Sequence, residues 1–549
     1  MCAKKLRLGL LLNSLSVPAW VDYVVRRIIS EDAGEFVLVI LNSEMDGLQR
    51  DKKRSILYSI FDWIDRKLFT KEPDPFGLND ISELLESVPV IKVLPIRKVT
   101  VSFLGDADLR NIKNYQLDVL LKFGFESLSV ENLDISKYGT WFYSHGERSG
   151  PPGFWEVVEN QPETVSTLMA IGGSFSTVHV LYRSCFFTYP LSPARHRSYF
   201  FWAAASFLPR QIRLLQRLGY DGFLREIDKF NAKPNIKLNA FEVPSNWVTI
   251  LSLTKITFRL IREFLTRIFF LKQWFLLFSF KDEALNNLEI FEKMTPTRNT
   301  FFADPHIIQK AETYYVFVEE FSAVKGKGHI SFIEIDETGH WKAPVKVLEK
   351  DYHLSYPFLF EWDGKNYMIP ESRANRTIDL YECTTFPTEW KFKKCLVENV
   401  SAVDTTLIYY FNKWWLFTGI AEHEGAAPNV ELFLFFTDDI FSGNWISHPQ
   451  NPIVSDVKRA RPAGSIFFRD GRLIRPSQDC SKLYGYGFDL NEIVVLSESN
   501  YCEKKIVSVR PGWDKEILAT HTLSTCNNLT VIDAFRYVWR MGNAGNRGS

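Results

Sequence analysis

Four acidic side chains fall at spacings that could assemble an acid/base site. Asp304 stands eleven residues before Tyr315, Tyr356 eleven before Tyr367, and Asp404 eleven before Trp415. Four residues after the same aromatic reference come Glu319, Glu371 and Gly419, with Ser477 in the matching place of a fourth segment. Each first residue opens an apolar run, and each second residue closes the run that follows a tight turn. The start of one strand and the end of its antiparallel partner share one edge. Asp304, Asp404, Glu319 and Glu371 are therefore expected to converge. Paired carboxyl groups suit glycosyl chemistry, in which one acid protonates a leaving oxygen and another acts as base or nucleophile. His353, Tyr356, Arg461, Arg475, Gln478 and Asp479 share these segments and are candidate sugar-binding residues. The competing reading is that the acids cap strand edges, bind a structural cation or pair with Arg461 and Arg475.

The elements that must position these residues form an internal repeat. Asp304–Ile308 runs into Tyr314–Phe317, Tyr356–Phe360 into Asn366–Ile369, Asp404–Ile408 into Trp414–Phe417, and Ala463–Phe468 into Leu473–Arg475. Asp363-Gly364 and Asp470-Gly471 supply the hairpin turn in two of them, since Asp-Gly between apolar runs is a strong hairpin signal. In the first three, a further strand and a Trp follow (Trp341, Trp390 and Trp445). Four-stranded units repeating at roughly 50 residues are propeller blades. His521-Thr522-Leu523 and Leu529–Phe535 offer a fifth unit, and Gln273–Phe280 could close the ring. The expectation is a five-bladed β-propeller over 272–549, with other all-β architectures as the alternative.

The preceding chain reads differently. Leu8–Leu12, Phe36–Leu41 and Val119–Phe123 look like buried strands, and Pro18–Ile29 and Ile81–Leu85 like helices between them. Such alternation predicts an α/β domain with a parallel sheet over 1–197. Residues 198–271 read as a helical connector. Within it, Trp247–Phe270 is apolar but carries Lys255, Arg259, Arg262 and Arg267. It fits a helix packed between domains, a helix lying on an anionic membrane surface, or a helix that binds a partner protein.

Composition bounds the function. The 549 residues hold 65 Lys+Arg and 65 Asp+Glu, with 46% hydrophobic residues. That is apolar enough for large cores and unlike a disordered chain. Zero net charge gives no support for a nucleic-acid partner. Seven cysteines without a CxxC pair read as reduced thiols, with no zinc site and no disulfide framework. The apolar stretch at Leu8–Leu12 is short for a signal peptide, and no apolar run is long enough to span a membrane. The expected location is the cytoplasm, with peripheral contact to the inner face of the membrane through 247–270. No phosphate-binding loop, dinucleotide fingerprint or metalloprotease motif occurs. No metal-ligating residues are assigned: Asp304 with its neighbouring carboxylates could hold Ca²⁺ through oxygen ligands, but their spacing matches no known cation loop.

Two resemblances add to this reading. Phe302-Ala303-Asp304-Pro305, His353-Leu354-Ser355-Tyr356-Pro357-Phe358, Tyr367-Met368-Ile369-Pro370-Glu371, and Arg475-Pro476-Ser477-Gln478-Asp479-Cys480 followed by Tyr484-Gly485 resemble the amino-terminal domain of plant glucosamine inositolphosphorylceramide transferases and their bacterial relatives. In the plant proteins the sugar-transferring module is a separate carboxy-terminal domain. The amino-terminal domain is similar to the five-bladed arabinanase, levansucrase and invertase group. The resemblance implies that Asp304 is base or nucleophile and that Asp404 supports the acid. Where the group opens a further blade with its acid Glu, this sequence has Arg461-Pro462-Ala463-Gly464. That departure argues against simple hydrolysis and leaves Glu371 as a substitute acid. The first ~190 residues resemble, more weakly, the formyltransferase fold. The resemblance rests on Asp118-Val119-Leu120, Gly124-Phe125, and His145 followed by Gly150-Pro151-Pro152 and Trp155. It makes His145 a candidate catalyst. Tyr143 replaces the family's Asn and His179 stands nearest its Asp, so formyl transfer is expected to be lost or altered.

The combined expectation is a carbohydrate-active protein of cell-surface polysaccharide or glycolipid biosynthesis. Its propeller would transfer or bind sugar, with a saccharide or glycolipid as substrate and a sugar nucleotide as co-substrate. The alternatives are a non-catalytic saccharide-binding scaffold working with partner glycosyltransferases, and a sugar N-formyltransferase using a folate donor.

Overall fold

The computed structural model describes residues 5–43, 55–98, 101–125, 128, 134–146, 148, 150–231, 243–281 and 284–540. The chain divides into two compact units, Met1–Arg259 and Leu260–Ser549.

The first unit is built on a seven-stranded sheet. Its spatial order is Phe175–Phe187, Glu163–Gly172, Thr140–His145, Val119–Lys122, Leu6–Leu12, Gly34–Asn42 and Val90–Val93. The last five pair in parallel. The apolar runs of Leu6–Leu12 and Val119–Lys122 at the centre are largely buried, as a sheet covered on both faces requires, while the edge strand Val90–Val93 is mostly exposed. The sheet is mixed rather than wholly parallel, because Glu163–Gly172 pairs antiparallel with both of its neighbours. The turn at Gly172-Gly173, where both residues take positive φ (78° and 58°), sets Phe175–Phe187 antiparallel to Glu163–Gly172. Leu11, Leu38, Ile40, Leu120, Phe142 and Met169 form the core on one side of the sheet. Ala19–Ser30 is helical as expected, whereas the predicted helix over Ile81–Leu85 is only a short 3₁₀ turn, Glu83–Leu85. The helices Pro193–Ala205 and Phe207–Asn231 also lie in this unit, the second bent at Gly219. A further helix, Asn246–Phe269, leads to the second unit. Among the described residues no helix is long and apolar enough to cross a membrane.

The second unit is a five-bladed β-propeller. Blade one comprises Thr300–Lys310, Thr313–Ser322, Lys327–Asp336 and Val345–Leu348. Blade two comprises Ser355–Trp362, Lys365–Ser372, Thr377–Thr385 and Glu389–Glu398. Blade three runs from Ser401–Tyr410 through Lys413–Ala421 and Glu431–Thr437, with short edge strands. Blade four comprises Phe467–Arg469, Arg472–Asp479, Gly487–Leu496 and Tyr501–Val509. Blade five joins both ends of the unit. Phe270–Ser279 pairs antiparallel with Leu529–Trp539, from Phe270 opposite Trp539 to Ser279 opposite Thr530. This is the closing strand expected at Gln273–Phe280, begun three residues earlier. Apolar side chains fill the gaps between blades. Phe317 and Phe332 of blade one, for example, pack with Met368, Tyr381 and Trp390 of blade two.

One irregularity recurs and positions the site. The inner-strand register breaks between Ala303 and His306, between Ser355 and Phe358, and between Val403 and Thr406. At each break one residue is left-handed: Asp304 (φ 54°), Tyr356 (φ 42°) and Asp404 (φ 50°). Such bulges re-aim a side chain out of the pleat's alternation. In blade four the corresponding residue is Gly464, at φ 134°. A Cβ there would stand 1.9 Å from the carbonyl oxygen of Leu523, whose own N–H donates to Ala463 O at 2.8 Å. Blades four and five thus meet backbone to backbone. Gly464→Ala is expected to cost about 3 kcal/mol or more through clash and strain. Urea unfolding checks this, and an unchanged midpoint would show that the two blades can separate freely.

Candidate active site at the rim of the propeller

The residues beside the bulges pair as the spacing predicted. Ala303 faces Glu319, Ser355 faces Glu371, Val403 faces Gly419, and Pro462 faces Ser477. Glu319 and Glu371 therefore lie at the same rim as Asp304 and Asp404. Blade three carries Gly419 because a Cβ there would stand 2.3 Å from Pro428 O, where the following loop crosses.

Asp304 is buried at the centre of one cluster. Its Oδ2 accepts from the N–H of Tyr356 at 3.2 Å, and its own N–H donates to Asp533 Oδ2 at 3.2 Å. His521 lies between the two carboxyl groups, with Nε2 3.1 Å from Asp304 Oδ1 and Nδ1 2.9 Å from Asp533 Oδ2. Burial opposes a charge on His521, but Asp533 and Asp304 outweigh it and push the imidazole up to about 10. It is therefore a cation at neutral pH. Burial raises Asp304, with His521 opposing. For Asp533 burial is outweighed by the His521 cation and its hydrogen bonds, which hold the carboxyl below the usual range. Asp304, His521 and Asp533 place ligand atoms within 4.8 Å of one another, so they could hold a small cation only if the imidazole gave up its proton.

Asp404 anchors the second cluster. Arg461 grips it with two bonds, Nε to Oδ2 at 2.5 Å and Nη2 to Oδ1 at 3.0 Å. Gln478 Nε2 donates to the same Oδ2 at 2.7 Å. Arg461 Nη2 also reaches Glu371 Oε2 at 3.4 Å. Burial and then the Asp404 charge push Glu371 well above the usual carboxylate range, despite Arg461. Glu319 is raised in the same way by burial and by Asp304 and Glu371. Both glutamates are thus pushed toward the protonated form, which is the form a general acid needs. His353 is half-exposed, with Nε2 3.4 Å from Glu319 Oε1. Its Nδ1 accepts from the N–H of Gly328 at 2.9 Å and burial keeps the ring neutral, so its proton is on Nε2, facing Glu319. Tyr484 is 47% exposed. Its ring lies 5.0 Å from the Arg461 guanidinium and 5.4 Å from the His521 ring, an aromatic surface on which a sugar face could stack.

Not every expected residue reaches this rim. Tyr356 is fully buried. Its hydroxyl accepts from the N–H of Gly464 at 2.9 Å and bonds Thr406 Oγ1 at 2.8 Å, so it ties blades together and offers no face to a sugar. Arg475 is buried against Glu503, with two bonds of 2.8 and 2.9 Å. Asp479 pairs with Arg510 at 2.8 Å. Both belong to the inside of blade four. The sequence reading missed His521 and Asp533 as partners of Asp304, although it had marked their strands as the fifth blade. In the first unit, His145 Nδ1 contacts Ser166 Oγ at 2.9 Å while Nε2 is enclosed without a partner. Burial pulls this ring down to about 3, leaving a very weak base. The cavity of about 430 Å³ in that unit is lined by Trp63, Arg66, Lys67, Arg197 and neighbours, not by His145.

The family match falls within the second unit. Residues 290–517 match the family described as "Glucosamine inositolphosphorylceramide transferase 1, N-terminal". The chain is 34% identical over 216 residues to glucosamine inositolphosphorylceramide transferase 1 of Oryza sativa subsp. japonica, covering 38% of this chain and 29% of that protein. It is 32% identical over 211 residues to the Arabidopsis thaliana protein of the same name, covering 38% and 27%. The matches thus span less than a third of those relatives. Among solved structures, a GH43 endo-arabinanase from Bacillus licheniformis is similar with 16% identity and a TM-score of 0.32, over 45% of this chain and 95% of that one. A family 117 glycoside hydrolase from Zobellia galactanivorans shows 13% identity and a TM-score of 0.32, over 44% and 85%. The family match takes in Asp304, Glu319, Glu371, Asp404 and Arg461 and stops before His521 and Asp533.

The His521 arrangement sets a pH dependence. A histidine raised on folding stabilises the fold fully below its unfolded value, and the contribution is lost as pH rises through the folded value. For His521 that window runs from about 6.5 to about 10. Urea midpoints measured across it should fall for the native protein and stay flatter for His521→Gln. Parallel curves would mean that His521 is not the cation between Asp304 and Asp533.

Proposed function

We propose that the rim of the propeller binds a saccharide and that the protein serves glycosyl transfer in the assembly of a glycolipid or cell-surface polysaccharide. The observation that carries this reading is the meeting of four acids in unlike surroundings at one rim. Burial and neighbouring acids raise Glu371 and Glu319, while Asp404 is gripped by Arg461 and Gln478. The family match over 290–517 supports the substrate class. Glu371 gives its proton to the oxygen that leaves the donor sugar as the C–O bond breaks. Asp304 takes the proton of the acceptor hydroxyl as the new C–O bond forms. Asp404 acts through its neighbours, fixing Arg461 and pushing Glu371 toward the protonated form. Tyr484 and His353 line the approach. A sugar nucleotide is the proposed donor, in the cytoplasm and beside partner glycosyltransferases.

A second reading, a saccharide-binding scaffold without turnover, is favoured by Arg461. It occupies the start of blade four and neutralises Asp404 with a bidentate pair. Formyl transfer by the first unit has weaker support, since the His145 ring as placed is a poor acceptor for a proton from an ammonium group.

The test is turnover of sugar nucleotides by the purified protein, with saccharide binding followed by calorimetry. Glu371→Gln and Asp304→Asn should each lower turnover about 100-fold or more while sugar binding persists, Glu371→Gln with an unchanged melting temperature and Asp304→Asn with a lowered one, because it removes a carboxylate facing the His521 cation. Unchanged turnover in both variants removes these residues from the chemistry. Binding without turnover in the native protein selects the scaffold.

A further inference from the structure

Helices of water-soluble domains normally turn their apolar stripe inward and their charged face outward. Two helices of this chain do the reverse. In Ile56–Phe69 the inward residues include Tyr58 and Asp65. Asp65 Oδ2 accepts from the N–H of Ala194 at 2.7 Å, and Asp62, one turn earlier, is bonded by Arg197 at 2.8 Å. The outward stripe is Ile56, Ile60, Trp63, Ile64 and Leu68, with Trp63 63% and Leu68 68% exposed. In Asn246–Phe269 the buried residues are Thr249, Ser252 and Ile256. The two hydroxyls are satisfied by the helix itself, at Ser245 O and Val248 O. Outward lie Trp247, Leu251 and Phe258, the first and last 68% exposed. The starts of the two helices are joined, because Asn246 Oδ1 accepts from the N–H of Leu57 at 3.3 Å.

The exposed ionisable residues of Ile56–Phe69 and of residues 246–259 are basic, Arg66 and Lys67 on the first and Lys255 on the second, with Arg66 paired to the partly buried Asp62 at 2.9 Å. Lys67 lies 5.3 Å from the Trp63 ring centre. Aromatic and aliphatic side chains flanked by Lys and Arg match the boundary of a bilayer carrying anionic lipid. A two-fold contact between copies would instead set this patch against itself, basic group facing basic group. We infer that the two helices form a docking surface that lays the first unit on an anionic lipid bilayer. The surface adds the helix Ile56–Phe69 to the segment 247–270 and is independent of the chemistry at the propeller rim.

The test uses the full chain with vesicles of phosphatidylcholine, alone or mixed with phosphatidylglycerol. The protein should sediment with the mixed vesicles and much less with phosphatidylcholine alone, and raised salt should weaken binding. The double variant Trp63→Ser/Phe258→Ser should lose about tenfold or more in vesicle affinity, with an unchanged melting temperature because both side chains are exposed. Lys67→Glu with Lys255→Glu should remove the preference for phosphatidylglycerol. Three results would overturn the inference. They are no sedimentation at low salt, a double variant that binds vesicles as the native protein does, and a concentration-dependent dimer abolished by the double variant with no vesicle binding, which would make a second copy the occupant.

Discussion

The site at the propeller rim depends on a break in the pleat. A regular strand sends successive side chains to opposite faces, so a blade's inner strand has no regular way to aim an acid into the rim while keeping its neighbours in the inter-blade core. One left-handed residue per inner strand resolves this in blades one to three, at Asp304, Tyr356 and Asp404. For Asp the conformation is tolerable, because its short polar side chain finds local partners. For Tyr356 it is more costly, and the bonds from its hydroxyl to Gly464 and Thr406 help hold it. The strain is therefore offset by contacts between blades, and the position of each acid depends on the ring being closed.

Closure then makes the electrostatics possible. Burying several carboxyl groups near one another is costly unless cations or protons intervene. Both devices are present. Arg461 and the His521 imidazolium each hold a carboxylate, while Glu319 and Glu371, the latter reached by Arg461 only at 3.4 Å, are pushed toward the protonated form. The division follows from geometry. The two acids in the left-handed positions receive directed partners from blades four and five. The two at the strand ends face mainly other acids. Carboxyl groups set apart in this way by their surroundings are an arrangement that acid/base chemistry can use.

Much of this was legible in the sequence because hairpins preserve register. Spacings of eleven and four residues translate directly into Ala303 opposite Glu319 and Ser355 opposite Glu371. His521 and Asp533 were not reached by the same argument, since blade five is assembled from both ends of the unit and has no single hairpin over which to count. Arg475 and Asp479 were misplaced for a simpler reason. On the strand Arg472–Asp479, Gln478 faces Asp404, and residues one and three positions away must face the other side. There Arg475 meets Glu503 and Asp479 meets Arg510. In the first unit, three of the five parallel strands were evident as apolar runs, and Val90–Val93 and Thr140–His145 were not. Glu163–Gly172 was not either, because the composition of a strand does not say which way it runs beside its neighbour.

The inverted helices show where periodicity stops being informative. An apolar stripe at helical spacing reads the same whether it faces a core or the outside. What decides is the chemistry available to the opposite face. In Ile56–Phe69 that face offers Asp62 and Asp65, and the protein interior supplies Arg197 and the N–H of Ala194 to receive them. Once those acids are committed inward, the helix cannot rotate to bury Trp63 and Leu68 without stranding two carboxylates, a loss larger than the apolar burial would return. The outward stripe is thus enforced by the polar contacts beneath it, and a surface held in place this way is built to remain apolar.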